Sequence, residues 1–239
     1  MTRNISFLIP AHNEVNFIAD CIESIKYVMV FYPKIKYEII VVDDHSQDDT
    51  RWNAIKAMAD QVIYNIGQGI VKARQTGFEA SKYDLLAFID ADNRLPLTWL
   101  PEALKYFDEE EVVAVTGPLK FYDMPSWFKT ASQLFYIAAK ISHKHLPMMQ
   151  GGNYVIRRSA LEAIGGFDTS FAFYGEDTRT ATQLVKLGKI IYNPKMYILS
   201  SGRRFSQGGI VTTTLTYITS YFYVSLFHKP LTQKHSNYR

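Results

Sequence analysis

The chain has 239 residues, 47% hydrophobic and 21% charged, with a net charge of +3. That balance excludes a disordered chain. The single cysteine, Cys21, excludes a disulfide scaffold or a cysteine-based zinc cluster and suits a reducing compartment. Charge is unevenly spread: all 23 acidic residues stand at or before Asp177, whereas Thr178 to Arg239 holds 9 Lys and Arg and no acid. The C-terminal quarter is therefore expected to face something anionic: nucleotide phosphate, lipid headgroups or nucleic acid. The plain alternative is an evenly solvated basic face.

Met1 to Asn4 lead straight into a strand-like run, so no secretory signal is expected. Strand Ile5–Ile9 ends at Pro10, and Ile18, Cys21, Ile22 and Ile25 then repeat at helical spacing, which makes Cys21 a core residue. A buried strand from Glu38 to Asp43 ends in two carboxylates. Asp48, Asp49 and Thr50 open a helix carrying Trp52, Ile55 and Ala59. A third strand is expected at Val62–Tyr64, a helix at Gln68–Lys82, a fourth strand at Leu85–Ile89, a helix at Pro96–Phe107 and a fifth strand at Val112–Thr116. Apolar strands alternating with helices predict an α/β fold with a mainly parallel sheet covered on both faces. Beyond Gly117 the pattern predicts an aromatic-rich helix over Ser126–Ser142 and a loop and strand over Gly151–Arg158. A short helix, Ala160–Ile164, closes at Gly165-Gly166, and another, Glu176–Leu187, stops at Gly188.

In such sheets ligands bind outside the carboxyl ends of the strands. Four strand ends carry polar groups: Pro10-Ala-His-Asn-Glu14, Asp43-Asp44, Asn65-Ile-Gly67 and Asp90-Ala-Asp92. A lone acid there is ordinarily a cap or turn former, but four on one edge suggest a crevice. Asp90-Ala91-Asp92 follows five apolar residues, and magnesium is commonly held by one or two carboxylates plus substrate phosphates. Glu176-Asp177 follows the aromatic stretch Phe171–Tyr174; its acids either complement a helix dipole or supply a general base tuned upward by burial. No phosphate-loop, dinucleotide or nucleophile-elbow glycine motif is present. The 6 His show no metal-binding helical spacing: His143 and His145 decorate a helix end, and His12 reads as a loop residue.

These motifs together resemble the family 2 glycosyltransferases, whose nucleotide-diphosphosugar-binding fold is called GT-A. The resemblance runs from Ile5 to about Pro194 and rests on Ile9–Glu14, Val41–Asp44 with Ser46 and Asp49-Thr50, Asp90–Asp92, Arg157-Arg158 through Gly165–Asp168, and Glu176-Asp177. It implies that Pro10, Ala11, Asn13 and Glu14 line the nucleoside pocket, that Asp43 and Asp44 bind base or ribose, and that Lys72 and Arg74 flank the nucleotide. Asp90 and Ala91 would also touch the nucleotide. Asp92 with Asp90 would hold a divalent cation, Mn or Mg. Gly151, Gly152 and Asn153 would lie near donor sugar and acceptor, and Asp177, with Glu176 beside it, would be the catalytic base.

Two departures from the family pattern matter. Relatives often place a metal-binding His near the domain end, where this chain reads Ser200-Ser-Gly-Arg-Arg-Phe205. Arg203 and Arg204 could hold the diphosphate directly, which leaves the third metal ligand open. The Gln-x-x-Arg-Trp of processive synthases is only partly matched by Arg204-Phe205, which implies transfer of one sugar per encounter.

The expected activity is inverting transfer from a nucleotide-diphosphate sugar, UDP-sugar favoured and GDP-sugar the other option, to a hydroxyl on a glycan or lipid-linked saccharide. Transfer to a polyprenyl phosphate and nucleotide-sugar binding without turnover are the alternatives, and no nucleic-acid partner is expected. Residues 1–205 would form the GT-A domain and 206–239 an appendage. Ile210–Phe227 places Leu215, Ile218, Phe222 and Leu226 on one face but holds five Thr, two Ser and three Tyr, poor for a spanning helix. It would either pack on the domain or lie at a membrane interface, helped by Lys229, Lys234 and Arg239. The expected location is cytoplasmic, with contact at the inner face of the cell membrane and a role in cell-envelope polysaccharide biosynthesis.

Overall fold

The computed structural model describes residues 4–142 and 148–231, with side chains through residue 137 in the first range. His143, His145, Lys234 and Arg239 lie outside the described residues. Strands β1 (Ile5–Ala11), β2 (Tyr37–Asp43), β3 (Gln61–Tyr64) and β4 (Leu85–Ile89) are short apolar runs. Because side chains alternate along a strand, such runs need a helix layer on each face. Ile5, Phe7 and Ile9 enter one layer with α1 (Ile18–Val30), α2 (Thr50–Lys56) and α4 (Trp99–Leu104). Leu8, Ile40 and Phe88 point the other way, onto α3 (Ile70–Ala80), α6 (Arg158–Ala163) and α7 (Glu176–Leu184). Cys21 is fully buried on α1, as its spacing predicts.

The main sheet has seven strands in the order β3-β2-β1-β4-β8-β6-β9, with β6 at Val112–Thr116, β8 at Asn153–Arg157 and β9 at Lys189–Tyr192. β8 runs antiparallel between β4 and β6; the other pairings are parallel. β1 has β2 on one side and β4 on the other, so the chain reverses its direction of travel across the sheet there, opening a crevice at the carboxyl ends. The register Ile89↔Asn153 brings the residues before β8 beside Asp90.

A three-stranded sheet, β5 (Asn93–Arg94), β10 (Ile198–Ser200) and β7 (Leu119–Phe121), caps the edge of this crevice. Strands of two or three residues carry no readable periodicity, and neither these, nor β9, nor the short helix α8 (Arg203–Gly208) is legible in the sequence. The remaining helices are α5 (Ser126–Ser142) and α9 (Ile210–Phe227).

α9 is turned opposite to the usual amphipathic sense. Thr213, Ser220 and Val224 are buried, whereas Leu215, Phe222 and Leu226 are exposed, Leu226 to 72%. Val224 belongs to the main core beside Phe171 and Leu184, and Gly175, at φ +83°, leaves room for it. A Cβ on Gly175 would lie 2.6 Å from Val224 Cγ2. The expected division at residue 206 falls within α8, and α9 is packed onto α7 and α8.

Asn153, expected beside donor sugar and acceptor, is a brace inside the fold. It is fully buried; its Oδ1 accepts from Trp99 Nε1 at 2.7 Å, and its Nδ2 donates to the carbonyls of Met196 at 2.9 Å and Pro118 at 3.1 Å. One amide thus joins the helix layer, the main sheet and the small sheet, and has no group left for a ligand. Asn153→Leu strands one donor and two acceptors in the interior, each unmet group costing about 1–3 kcal/mol. Urea unfolding should show a loss of at least about 3 kcal/mol; a loss under about 1 kcal/mol would remove Asn153 as a brace.

Candidate active site

The ends of β1 and β2 are knitted to each other before any ligand enters. Asn13, at φ +53°, receives Gln47 N–H on its Oδ1 at 2.8 Å, and its own N–H donates to Ser46 Oγ at 3.0 Å. Glu14 N–H donates to Thr50 Oγ1 at 2.6 Å. Pro10 and Ala11 are buried in β1. Asp43 accepts Ser46 N–H at 3.3 Å. Asp44 accepts Gly69 N–H at 3.0 Å and Asn65 Nδ2 at 2.7 Å, fixing the loop before α3. Gly69, at φ +99°, makes that turn possible. Lys72 stands exposed on the first turn of α3.

Arg74, expected to flank the nucleotide, is instead buried beneath the crevice. Its Nη2 donates to Asp90 Oδ1 at 2.9 Å, its Nη1 contacts Glu176 Oε1, and it lies over the Tyr154 ring. Glu176, expected beside the catalytic base, is 5% exposed and serves as the counter-ion of Arg74. Removing Arg74 would leave the Glu176 carboxylate as an uncompensated buried charge, whereas Arg74 without Glu176 would keep Asp90. Ala91 is buried in the core, and the side chain of Asp90 is partly open. Gly152, at φ +74°, packs on Asp90: a Cβ there would lie 2.5 Å from Asp90 Cγ.

Asp177 is the second residue of α7, next to Glu176. Its Oδ1 accepts Thr178 N–H at 2.7 Å and its Oδ2 accepts Gly151 N–H at 3.2 Å. Burial pushes its carboxyl above the usual aspartate range, against the pull of the Thr178 amide, the Arg74 charge and the Gly151 amide. Gly151 is therefore the link between base candidate and loop: its N–H holds Asp177, and the next residue touches Asp90.

The small sheet delivers the last group. Ser200 pairs with Asn93, immediately after Asp92, so the residues following β10 arrive opposite the acidic loop. Asp123 fixes them, accepting Ser201 Oγ at 2.5 Å and Gly202 N–H at 2.6 Å. Arg203 then reaches both oxygens of Glu14, at 2.5 and 2.6 Å, and its Nε lies 3.2 Å from Asp92 Oδ2. Arg204 turns aside, donating to Tyr217 Oη on α9 and lying 4.5 Å from the Phe173 ring centroid. The sequence offers the Arg pair but no sign that Glu14 and Asp92 share one of its members, because Arg203 lies 189 positions from Glu14 and far along the chain from Asp92.

Asp90 and Asp92 are hard oxygen donors in one partly open loop, and this donor type suits a manganese or magnesium ion that takes its other ligands from phosphate and water. Among the described residues no group of three or more His, Cys, Asp or Glu converges.

The model of glycosyl transferase family 2 matches residues 6–165, which contain both the acidic loop and the strand ends just described. A probable glycosyltransferase, YdaM, of Bacillus subtilis is 29% identical over 204 residues, 77% of this chain and 47% of its own length. An undecaprenyl-phosphate 4-deoxy-4-formamido-L-arabinose transferase of Serratia proteamaculans is 30% identical over 140 residues, 55% of this chain and 42% of its own. The chain spans about half the length of the curated relatives it matches. Among solved structures, mannosyltransferase PcManGT of Pyrobaculum calidifontis, in complex with GDP-Man and Mn2+, superposes with a TM-score of 0.68 at 21% identity, over 91% of this chain and 64% of that one. That likeness bears on the fold, and the fold is the GT-A arrangement. With the family match covering well over half its residues, the chain belongs to glycosyl transferase family 2.

Proposed function

We propose that the chain transfers one sugar from a nucleoside-diphosphate sugar to an acceptor hydroxyl with inversion. The observation that carries this reading is the Asp177 carboxylate, half-buried, held by two backbone amides and joined through Gly151-Gly152 to the Asp90 loop. A hydroxyl is a poor nucleophile; Asp177 would take its proton as the oxygen attacks the anomeric carbon and the bond to the diphosphate breaks. One displacement inverts that carbon. A divalent cation, when bound, supplies positive charge against the departing diphosphate. Asp90 and Asp92 would hold it, Arg203 would add a second positive group, and Asn13, Asp43 and Asp44 frame the nucleoside end.

The family relationship supports a nucleotide-sugar donor. The Serratia relative's name supports a second reading, with a polyprenyl phosphate as acceptor. Such an acceptor is already anionic and needs no base, so the two readings separate at Asp177. Asp177→Asn keeps the shape and loses the proton acceptor. Donor binding should persist while transfer to a hydroxyl falls by roughly 10²-fold or more. Because the carboxyl is raised, wild-type kcat should fall as pH drops through a midpoint above about 3.9. Near-wild-type turnover in the variant would transfer the case to the phosphate acceptor.

The cation site has its own test. Asp92→Asn should abolish manganese-dependent binding of UDP and GDP in calorimetry; unchanged affinity for both would remove Asp92 from the site.

We further propose that the exposed side of α9 lies on an anionic membrane surface. α9 is long and apolar enough to cross a membrane by length and composition, with a mean hydropathy of 1.2. Its inner side is nonetheless committed to the domain through Val224 and Tyr217, which favours lying on the surface. Trp127 and Leu134 on α5 are exposed as well. Lys229 follows α9, and Lys234 and Arg239 extend the basic run in sequence; three cations contribute about 3 kcal/mol before screening. The protein should sediment with anionic vesicles at low salt and be released by salt. Phe222→Asp with Leu226→Asp should stop sedimentation with the circular dichroism unchanged. Failure of the wild type to sediment would refute the contact.

A further inference from the structure

Arg203 is held as a bound cation is held. Two of its nitrogens face carboxylates from different strand ends: Nη2 touches both oxygens of Glu14, and Nε faces Asp92 Oδ2 at 3.2 Å. Its guanidinium carbon also lies 4.6 Å from the Phe17 ring centroid. Glu14 is 3% exposed, so its carboxylate is neutralised by this arginine rather than by water. The backbone that carries Arg203 is fixed from behind: Asp123 holds Ser201 and Gly202, and a Cβ on Gly202 would lie 2.1 Å from Met124 Cγ. A rigid base with a long side chain suits a group that exchanges one anion for another.

We propose that Arg203 is an internal counter-ion that occupies Asp92 when no donor is present, so that the divalent cation and the donor diphosphate enter together. The proposal rests on the reading of Asp90 and Asp92 as the cation site. A guanidinium and a dication repel each other at one carboxylate, so metal alone binds weakly while Arg203 bridges Glu14 and Asp92. A diphosphate offers Arg203 a substitute anion, with the bidentate geometry that arginine favours. Asp92 is then released to the metal. Glu14, on this account, is the docking anion of Arg203 and not a nucleoside contact. Arg203 is a ligand-exchange residue, and its effect is readable without any turnover.

The test is manganese binding to the full chain without donor, followed by calorimetry and by the electron paramagnetic resonance of free Mn2+. Arg203→Ala should raise the affinity for manganese alone by tenfold or more, and should lower the affinity for UDP and for GDP without metal. Arg203→Gln, which keeps a hydrogen bond to Glu14 without the charge, carries the same expectation if the alanine variant fails to fold. Adding Asp92→Asn to either variant should abolish the gain. Manganese affinity unchanged or lower in both Arg203 variants would overturn the counter-ion role and leave the cation site standing. A gain that survives Asp92→Asn would overturn the cation site as well.

Discussion

Charge compensation at the carboxyl edge of a parallel sheet is the constraint on which this structure turns. The fold delivers Glu14, Asp90, Asp92, Glu176 and Asp177 to one end of the molecule, several of them with little access to water. Buried carboxylates stay ionised only when they are paired or hydrogen-bonded. Two arginines and a set of backbone amides meet that demand. Arg74 works from below, between Asp90 and Glu176; Arg203 works from the rim, between Glu14 and Asp92. Asp177 has amides and the more distant charge of Arg74, and its carboxyl stays raised by burial. Four of these acids are paired with an arginine, and Asp177 is the one whose carboxyl burial raises.

Close backbone approach makes the arrangement possible. Gly152 lets β8 begin against Asp90, Gly202 lets the Arg203 segment lie on Met124, and Gly117 meets the Met196 carbonyl where any side chain would collide. Asn153 lies at the meeting point of the same segments and consumes its whole amide there. The small sheet is therefore an extension of the core, and its function is to set Arg203 opposite Asp92 to within hydrogen-bonding distance.

α9 couples this edge to the outer surface. Val224 enters the core against Gly175, the residue preceding Glu176, and Tyr217 receives Arg204. The helix thus touches both the segment that leads into Glu176-Asp177 and the segment that carries Arg203. Thr213, Ser220 and Val224 face inward, and Leu215, Phe222 and Leu226 are left outside.

The sequence by itself determined the layered α/β fold, the chain order of β1 to β4 and β6 with the helices α1 to α4, and the crevice at the strand ends. Runs such as Leu85–Ile89 admit only a strand buried on both faces, and the spacing of Ile18, Cys21, Ile22 and Ile25 admits only a helix on one of them. The positions of Asp90, Asp92 and Asp177 at element ends were legible as well, because each follows or opens an element whose end can be read from its neighbours. Tertiary structure alone decided what the remaining polar residues do. Arg74 reads in sequence as a nucleotide-flanking group and Glu176 as a companion of the base, and the two are each other's buried partners; Asn153 reads as a sugar contact and braces the fold. Arg203 meets Glu14 across 189 positions, a separation at which no local pattern carries information. The physical reason is the same in each case: propensity and periodicity report on a residue's own element, whereas the pairing of charges and amides depends on which elements the sheet brings together.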